Sequence, residues 1–481
     1  MIVGSFLGFL ALFLIVGLGS ALRAKKSRTD YYLADSEVPP GLAALSAVAT
    51  NNSGYMFIGV IGFTYAMGLA AIWLMFGWIL GDFFVSLVVH RQLREATGRT
   101  NEASFAAVIA KWNGQKFAVW RRLAAIVMVV FLGAYAAAQI SAGGKALQGV
   151  LGWNPQVGAI VVAAMILAYS AAGGIRASIW TDAIQSFVML AAMSVLFAVG
   201  VQGQGGVSAV VEKMNAVPNF LDWFPSDLLF PGALGMGLFV LGWMFAGMSV
   251  VGQPHVMVRF MALESPERMN RARAWYYGYF TAFYALATGV GMLSRLYLPE
   301  LGALDPELAL PTMALELLPG VFVGMILAGI FAATMSTADS LVLSCSAAIT
   351  HDLLPRRLET SWELKSATAF VTALALAIAL SGNRSVFHLV ILAWSTLASA
   401  FAPLLIIVAR RRRISEAGAI ISMAAGVSVA LLWRYLGWHE DVYEGMPGIL
   451  TGLAFAWILS QRAGVIVVDS PRITASDKPA E

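Results

Sequence analysis

Apolar windows such as "IVGSFLGFLALFLIVGLGSAL" and "FVMLAAMSVLFAVGV" recur along the whole chain, separated by short charged or Gly/Pro-rich breaks. About 20 apolar residues cross a hydrocarbon core of roughly 30 Å, so each window predicts a membrane helix. Thirteen follow, over 2–22, 41–67, 70–93, 122–149, 155–172, 175–200, 233–262, 272–298, 320–350, 364–382, 386–409, 416–437 and 446–462. The second and third are parted only by the short turn in "YAMGLAAIW".

Two windows are interrupted by polar and glycine residues. The second holds Thr50, Asn51, Asn52, Ser53 and Gly54 at its middle; the seventh is interrupted at Ala246–Ser249 and again at Gly252, Gln253 and Pro254. Backbone freed at membrane depth is tolerated where it is buried in protein or lines a cavity, and a matched pair of broken helices points to a transporter binding site. The second window opens a set of five helices and the seventh opens another. Five crossings invert orientation, so the two sets form an inverted repeat. The expected fold is an all-α polytopic membrane protein with a five-plus-five core: a first helix and basic loop over 1–40, repeats over 41–200 and 233–409, two further helices over 410–463, and a polar, disordered tail over 464–481.

Composition agrees with this picture. The chain has 481 residues, 59% apolar and 12% charged, against about 25% charged in a soluble average. Its formal charge is +4, but 26 of the 31 Lys and Arg fall in alternate loops. Those loops carry Arg23 to Arg28, Arg91 to Arg122, Arg176, Arg259 to Arg273, Arg356 to Lys365, Arg410 to Arg413, and Arg462 to Lys478. Loops rich in Lys and Arg stay cytoplasmic. The N-terminus is therefore expected outside and the C-terminus inside an inner (plasma) membrane, and the basic balance marks topology rather than a nucleic-acid partner. The first window lacks the basic n-region and cleavage site of a signal peptide. With one cysteine, Cys345, and no His cluster, neither an internal disulfide nor a structural metal is expected.

The ninth window, "FAATMSTADSLVLSCSAAITHD", is polar in its middle. On a helix Ala333, Ser336, Thr337 and Ser340 share one face. Hydroxyl and carbonyl oxygens are hard ligands, and a site with few carboxylates suits a weakly bound monovalent ion better than calcium. Carbonyls freed at Ala49 and Asn52 would complete a Na⁺ site. Back-bonding to i−4 carbonyls accounts for Ser344 and Ser346. Acids at membrane depth are functional candidates: Asp182 and Asp339 read as a second cation site with Ser340 or as acids sharing a proton, while Asp182 also reads as a cap on a neighbouring helix. Asp82 reads as part of a polar network at an inner helix end.

These segments resemble the solute:sodium symporter family. "AATMSTADSLVLSCSAAITHD" is similar to its signature, "LSAVATNNSG" and "VVGQPHVMVRFMA" to its two broken helices, "GGIRASIWTDAIQ" to its Trp-Thr-Asp segment, and "LVILAWSTLASAFAP" to the Ala-Trp helix of its proline-transporting branch. The resemblance, over about residues 30–405, implies a LeuT-type fold and a Na⁺ site on Ala49, Asn52, Ala333, Ser336 and Thr337. Asn52 stands where the proline branch has an apolar residue. The resemblance also implies a substrate site at the first break (Asn51, Ser53), on the fourth helix (Tyr135, Gln139) and on the seventh, where Ala246 and Val250 replace aromatic residues. A wider cavity is expected there.

The expected activity is Na⁺-coupled import, by alternating access, of a small organic solute, foremost an amino acid of the proline type, with another small organic solute or anion as the alternative. Na⁺ is the coupling ion, and no organic cofactor is expected. A transporter-like sensor would carry a signalling domain, and an enzyme a nucleophile–base pair. The sequence offers neither.

Overall fold

In the computed structural model, residues 1–21, 28–300, 305–354, 361–382 and 385–462 are described. Arg23, Lys25, Lys26, Arg356, Arg357, Arg384 and the expected disordered tail lie outside them. Helices take up the apolar windows nearly one for one: Ile2–Ala21, Pro40–Gly54 continued by Ile61–Met67, Ile72–Thr100, Ala118–Leu151, Pro155–Gly203, Gly232–Met248 continued by Pro254–Met261, Met269–Tyr297, Gly320–Ala347, Ser361–Leu380, Val386–Ala409, Glu416–Tyr435 and Gly445–Ile458. The short turn at "YAMGLAAIW" is real. Gly68 adopts φ +62°, and a Cβ there would lie 2.1 Å from the Phe220 carbonyl oxygen.

Pro155–Gly203 covers the fifth and sixth expected spans in a single run of 49 residues. At about 1.5 Å per residue, a straight helix of that length would be more than twice a bilayer core. The end of the preceding helix and the far end of the run nevertheless meet one short helix, Ala309–Leu317: Gly149, six residues before the run begins, packs on Pro311, and Gly200 packs on Met313. Between them Arg176 reaches Asp30, 2.7 Å away. The run doubles back and serves as two spans.

The breaks differ from expectation in detail. In the second span the irregularity is concentrated at Ser53 (φ +47°, ψ 178°). Such a backbone is disfavoured for a residue with a Cβ and holds only where its surroundings enforce it. The seventh span stays helical through Ala246. It then tightens to a 3₁₀ turn over Ser249–Gly252, and Gln253 is extended before Pro254 restarts the helix. Proline suits that place because a first-turn residue has no intrahelical use for its N–H. The thirteenth span ends at Ile458 rather than 462. Residues Ser460–Arg462 pair instead as an antiparallel strand with Arg412–Ile414.

Loops sort onto two faces. On one, Arg94 bonds the Leu263 carbonyl, Gln115 bonds that of Ile414 and Glu416 accepts from Val119 N–H; this face carries the basic loops. On the other, Leu69 N–H reaches Phe220, Leu229 N–H reaches Asp441, and Lys145 bonds Asp305 and Glu307. Ala309–Leu317 lies at this second face. Its nine residues and Pro311 made it read as loop.

Candidate functional site

The second and ninth spans meet at the polar face expected for the ion. Ser336 Oγ donates to the Ala333 carbonyl at 3.2 Å and faces the Ala49 carbonyl at 3.4 Å. Thr337 Oγ1 donates to the carbonyl of Thr50 at 2.9 Å. All five residues are fully buried. The Asn52 carbonyl accepts Tyr55 N–H within its own helix, and neither polar atom of its side chain has a hydrogen-bond partner among the described residues. Ala49, Ala333 and Ser336 therefore come together, Thr337 turns to Thr50, and no hydrogen bond brings Asn52 to span nine.

The break at Ser53 is held from the fourth span. Tyr135 donates its hydroxyl to Ser53 Oγ at 3.1 Å, and Gln139 Oε1 accepts Gly54 N–H at 2.8 Å. A side chain at Gly54 would meet Thr334 at 2.7 Å and Ala142 at 2.8 Å, so helices four and nine close on the bare backbone. The seventh span arrives from the other side. Trp394 of the eleventh span donates its indole N–H to the Ala246 carbonyl at 2.9 Å, and its own carbonyl accepts from Gln253 Nε2 at 2.9 Å. Val250 is buried in the 3₁₀ turn. The His255 ring stands edge-on to Tyr135 and to Trp394, with centroids 5.3 and 6.1 Å apart. The space beside Ala246, expected to be open, is thus faced by the Trp394 indole. Asn51 points the other way. Its Nδ2 donates to Tyr276 Oη at 2.6 Å, and Tyr276 and Tyr277 each donate to Asp82 at 2.8 Å. Asp82 anchors a chain of polar groups that ends at the first break.

Several buried polar atoms here have no hydrogen-bond partner among the described residues: Gln139 Nε2, Gln253 Oε1 and both ring nitrogens of His255. Leaving a buried donor or acceptor unpaired costs about 1–3 kcal/mol. These four atoms lie on residues gathered around Tyr135 and Trp394.

Arg259 corrects one reading. The charge pattern places it in a basic loop, yet it lies in the helix Pro254–Met261 with 1% of its surface exposed. Its guanidinium bonds Ser178 at 3.1 Å, Ser46 at 3.2 Å and the His255 carbonyl at 2.6 Å, binds Ser340 closely, and lies 3.5 Å from Asp182. Ser46 donates to Asp182 at 2.6 Å. The cation beside Asp182 and Ser340 is a side chain of the protein, and Asp339 interacts electrostatically with the same carboxylate. Among the described residues Asp182 accepts from the Ser46 and Ser178 hydroxyls and pairs with Arg259, side chains rather than the backbone N–H groups of a neighbouring helix end.

Residues 31–426 match the sodium:solute symporter family. The chain belongs to that family. Among curated proteins, this symporter is 29% identical over 464 residues to the high-affinity proline transporter PutP of Bacillus subtilis, covering 93% of this chain and 96% of the relative. It is also 29% identical over 448 residues to the sodium/proline symporter of Salmonella typhimurium, covering 90% and 87%. A substrate-bound, outward-open Na⁺-coupled sialic acid symporter superposes with a TM-score of 0.77 at 19% identity, covering 96% of this chain and 99% of that one. The nucleobase-cation symporter MHP1 gives 0.59 at 14% identity, with 89% and 92% covered. The fold is thus LeuT-type, and the activity is Na⁺-coupled symport of a small solute across a membrane.

Sequence reasoning named Tyr135, Gln139 and Ser53 but missed the symporter's Gln253, His255, Trp394 and Arg259. A signal for Gln253 was present: a residue just before a mid-membrane proline has no continuous helix to satisfy it. Trp394 was visible only as the tryptophan of the Ala-Trp helix, because its hydrogen-bond partners Ala246 and Gln253 lie more than a hundred residues away.

Proposed function

We propose that the solute is an amino acid of the proline type, imported with Na⁺ by alternating access through the plasma membrane, with the N-terminus outside and the C-terminus inside. The observation that carries this reading is the convergence of both helix breaks on Tyr135, in a chain related along nearly its whole length to proline transporters. Half-helix ends suit a carboxylate and an ammonium group. Gln139, Gln253 and His255 supply the amide and imidazole atoms to orient them, with Asn51, Ser53, Ala246 and Val250 as neighbours. Na⁺ is the only cofactor in this reading, and no covalent step is involved.

For the ion, two oxygens each about 2.4 Å from a shared hard cation at a right angle stand about 3.4 Å apart. Ser336 Oγ and the Ala49 carbonyl have that separation. Ala333, Thr337 and Asn52 complete the proposed set. Arg259 already supplies a fixed positive charge at Asp182, which favours one Na⁺ over two, with Asp339 and Ser340 tuning the arginine.

The test is uptake into proteoliposomes under an imposed Na⁺ gradient, across proline, larger amino acids and small organic anions. Saturable amino-acid uptake that vanishes when K⁺ replaces Na⁺ is expected. Ser336→Ala and Thr337→Ala should each raise the Na⁺ concentration for half-maximal uptake by roughly ten-fold, the loss of one hydrogen-bond-sized ligand contact. Uptake confined to organic anions would overturn the substrate, and unchanged Na⁺ dependence in both variants would overturn the ion site.

A further inference from the structure

Away from the transport centre, at the face with the basic loops, the eleventh and thirteenth spans diverge to leave a crevice of about 530 Å³. Its walls are of two kinds. Ile406, Leu453 and Trp457 form an apolar side, and Arg410, Arg411 and Arg412 form a cationic rim. The volume falls within the range of roughly 300–1,000 Å³ typical of ligand sites.

Three features show that the rim is built rather than accidental. Arg411 holds φ +56°, an uncommon conformation for a side-chain-bearing residue, and it sits where the chain leaves the helix for the short strand. Arg412 is fixed: its guanidinium lies 4.0 Å over the Trp457 ring and bonds Ser460 Oγ at 2.7 Å. Arg410 and Arg411 are exposed and form no ion pair among the described residues, although Glu416, close by in sequence, is engaged in capping Val119 and Trp120. Trp457 is 54% exposed, next to the last residue of the helix Gly445–Ile458, and tryptophans at the ends of membrane helices favour the headgroup level.

We propose that this crevice binds an anionic glycerophospholipid. Its phosphate would lie on Arg410 and Arg411, and its acyl chains would run down the apolar wall past Leu453 and Trp457. Arginine forks match phosphate oxygens in pairs, and basic pockets between membrane helices are suited to anionic headgroups. The ligand chemistry, an anionic phosphate group, is shared with free phosphate; the apolar wall of Ile406, Leu453 and Trp457 selects the lipid.

Native mass spectrometry of the full-length protein in detergent tests this. It is titrated with phosphatidylglycerol or with phosphatidylcholine of identical chains. Wild type should retain phosphatidylglycerol in preference to phosphatidylcholine. Each arginine at an anionic surface contributes roughly five-fold in affinity, so Arg410→Gln with Arg411→Gln should cut retention by about 25-fold. Arg271→Gln, an exposed arginine on the same face outside the crevice, should leave it unchanged. Both variants alter exposed side chains, and an unchanged melting temperature in lipid-free detergent would verify their folding. Equal loss in Arg271→Gln would reduce the effect to general surface charge and overturn the site. Displacement of the lipid by millimolar inorganic phosphate would overturn the lipid in favour of a free anion, and unchanged retention in the double variant would overturn the proposal outright.

Discussion

Arg259 and Lys145 are both buried cations, one toward each face of the bundle, yet they are held in contrasting ways. Arg259 spreads its donors over Ser46, Ser178, Ser340, Asp182 and the His255 carbonyl, touching the second, sixth and ninth spans from the seventh. Lys145 lies on the fourth span against Asp305 at 2.8 Å and Glu307 at 2.6 Å. Glu307 in turn accepts Val386 and Phe387 N–H and the Ser385 hydroxyl at the start of the eleventh span. A guanidinium presents five donors in a fixed plane, whereas an ammonium is a compact point charge. One end is therefore tied by direction and the other by charge. The arginine joins four spans through its own side chain, whereas the lysine reaches the eleventh span only through Glu307.

Removing the arginine should have the largest effect. Arg259→Met would leave Asp182 buried without its cation, a loss of about 3–5 kcal/mol, visible as failed expression or a sharply lowered melting temperature. Arg259→Lys should recover the fold but not full uptake, because one ammonium cannot reach three spans. If Arg259→Lys transports like wild type, direction is not what matters at that end. Lys145→Met should cost less, about 1–2 kcal/mol, because Asp305 is 30% exposed and Glu307 keeps its three donors on span eleven. Melting curves in detergent check it, and a cost equal to that of Arg259→Met would erase the contrast. The smallest change is Ser340→Ala. Arg259 keeps its other partners, so stability should fall by no more than about 1 kcal/mol. Uptake should slow only if Ser340 must release the guanidinium during the cycle, which a comparison of kcat with KM would read.

Hydropathy made the spans legible because lipid demands long apolar windows, and the break at Ser53 was legible because five polar or glycine residues interrupt one. Arg259 was misread for a physical reason: a loop-charge rule assigns charges by position along the chain, while this one is satisfied by Asp182, 77 residues away in sequence. Ala309–Leu317 escaped because its nine residues are too few to cross a bilayer and Pro311 interrupts the pattern. That Thr337 meets the Thr50 carbonyl could not be read from the sequence either. Which carbonyl a hydroxyl meets depends on the rotation of two helices, and one residue turns a helix face by about 100°.

The lone cysteine has a practical use. Cys345 is fully buried in the ninth span, its Sγ 3.9 Å from the Met128 carbonyl of the fourth, so a maleimide can reach it only when the packing around the ninth span opens. The wild-type protein thus carries its own chemical clock for that motion. Its labelling rate, compared with and without Na⁺, would count the openings directly, and cysteines engineered elsewhere would face little background labelling.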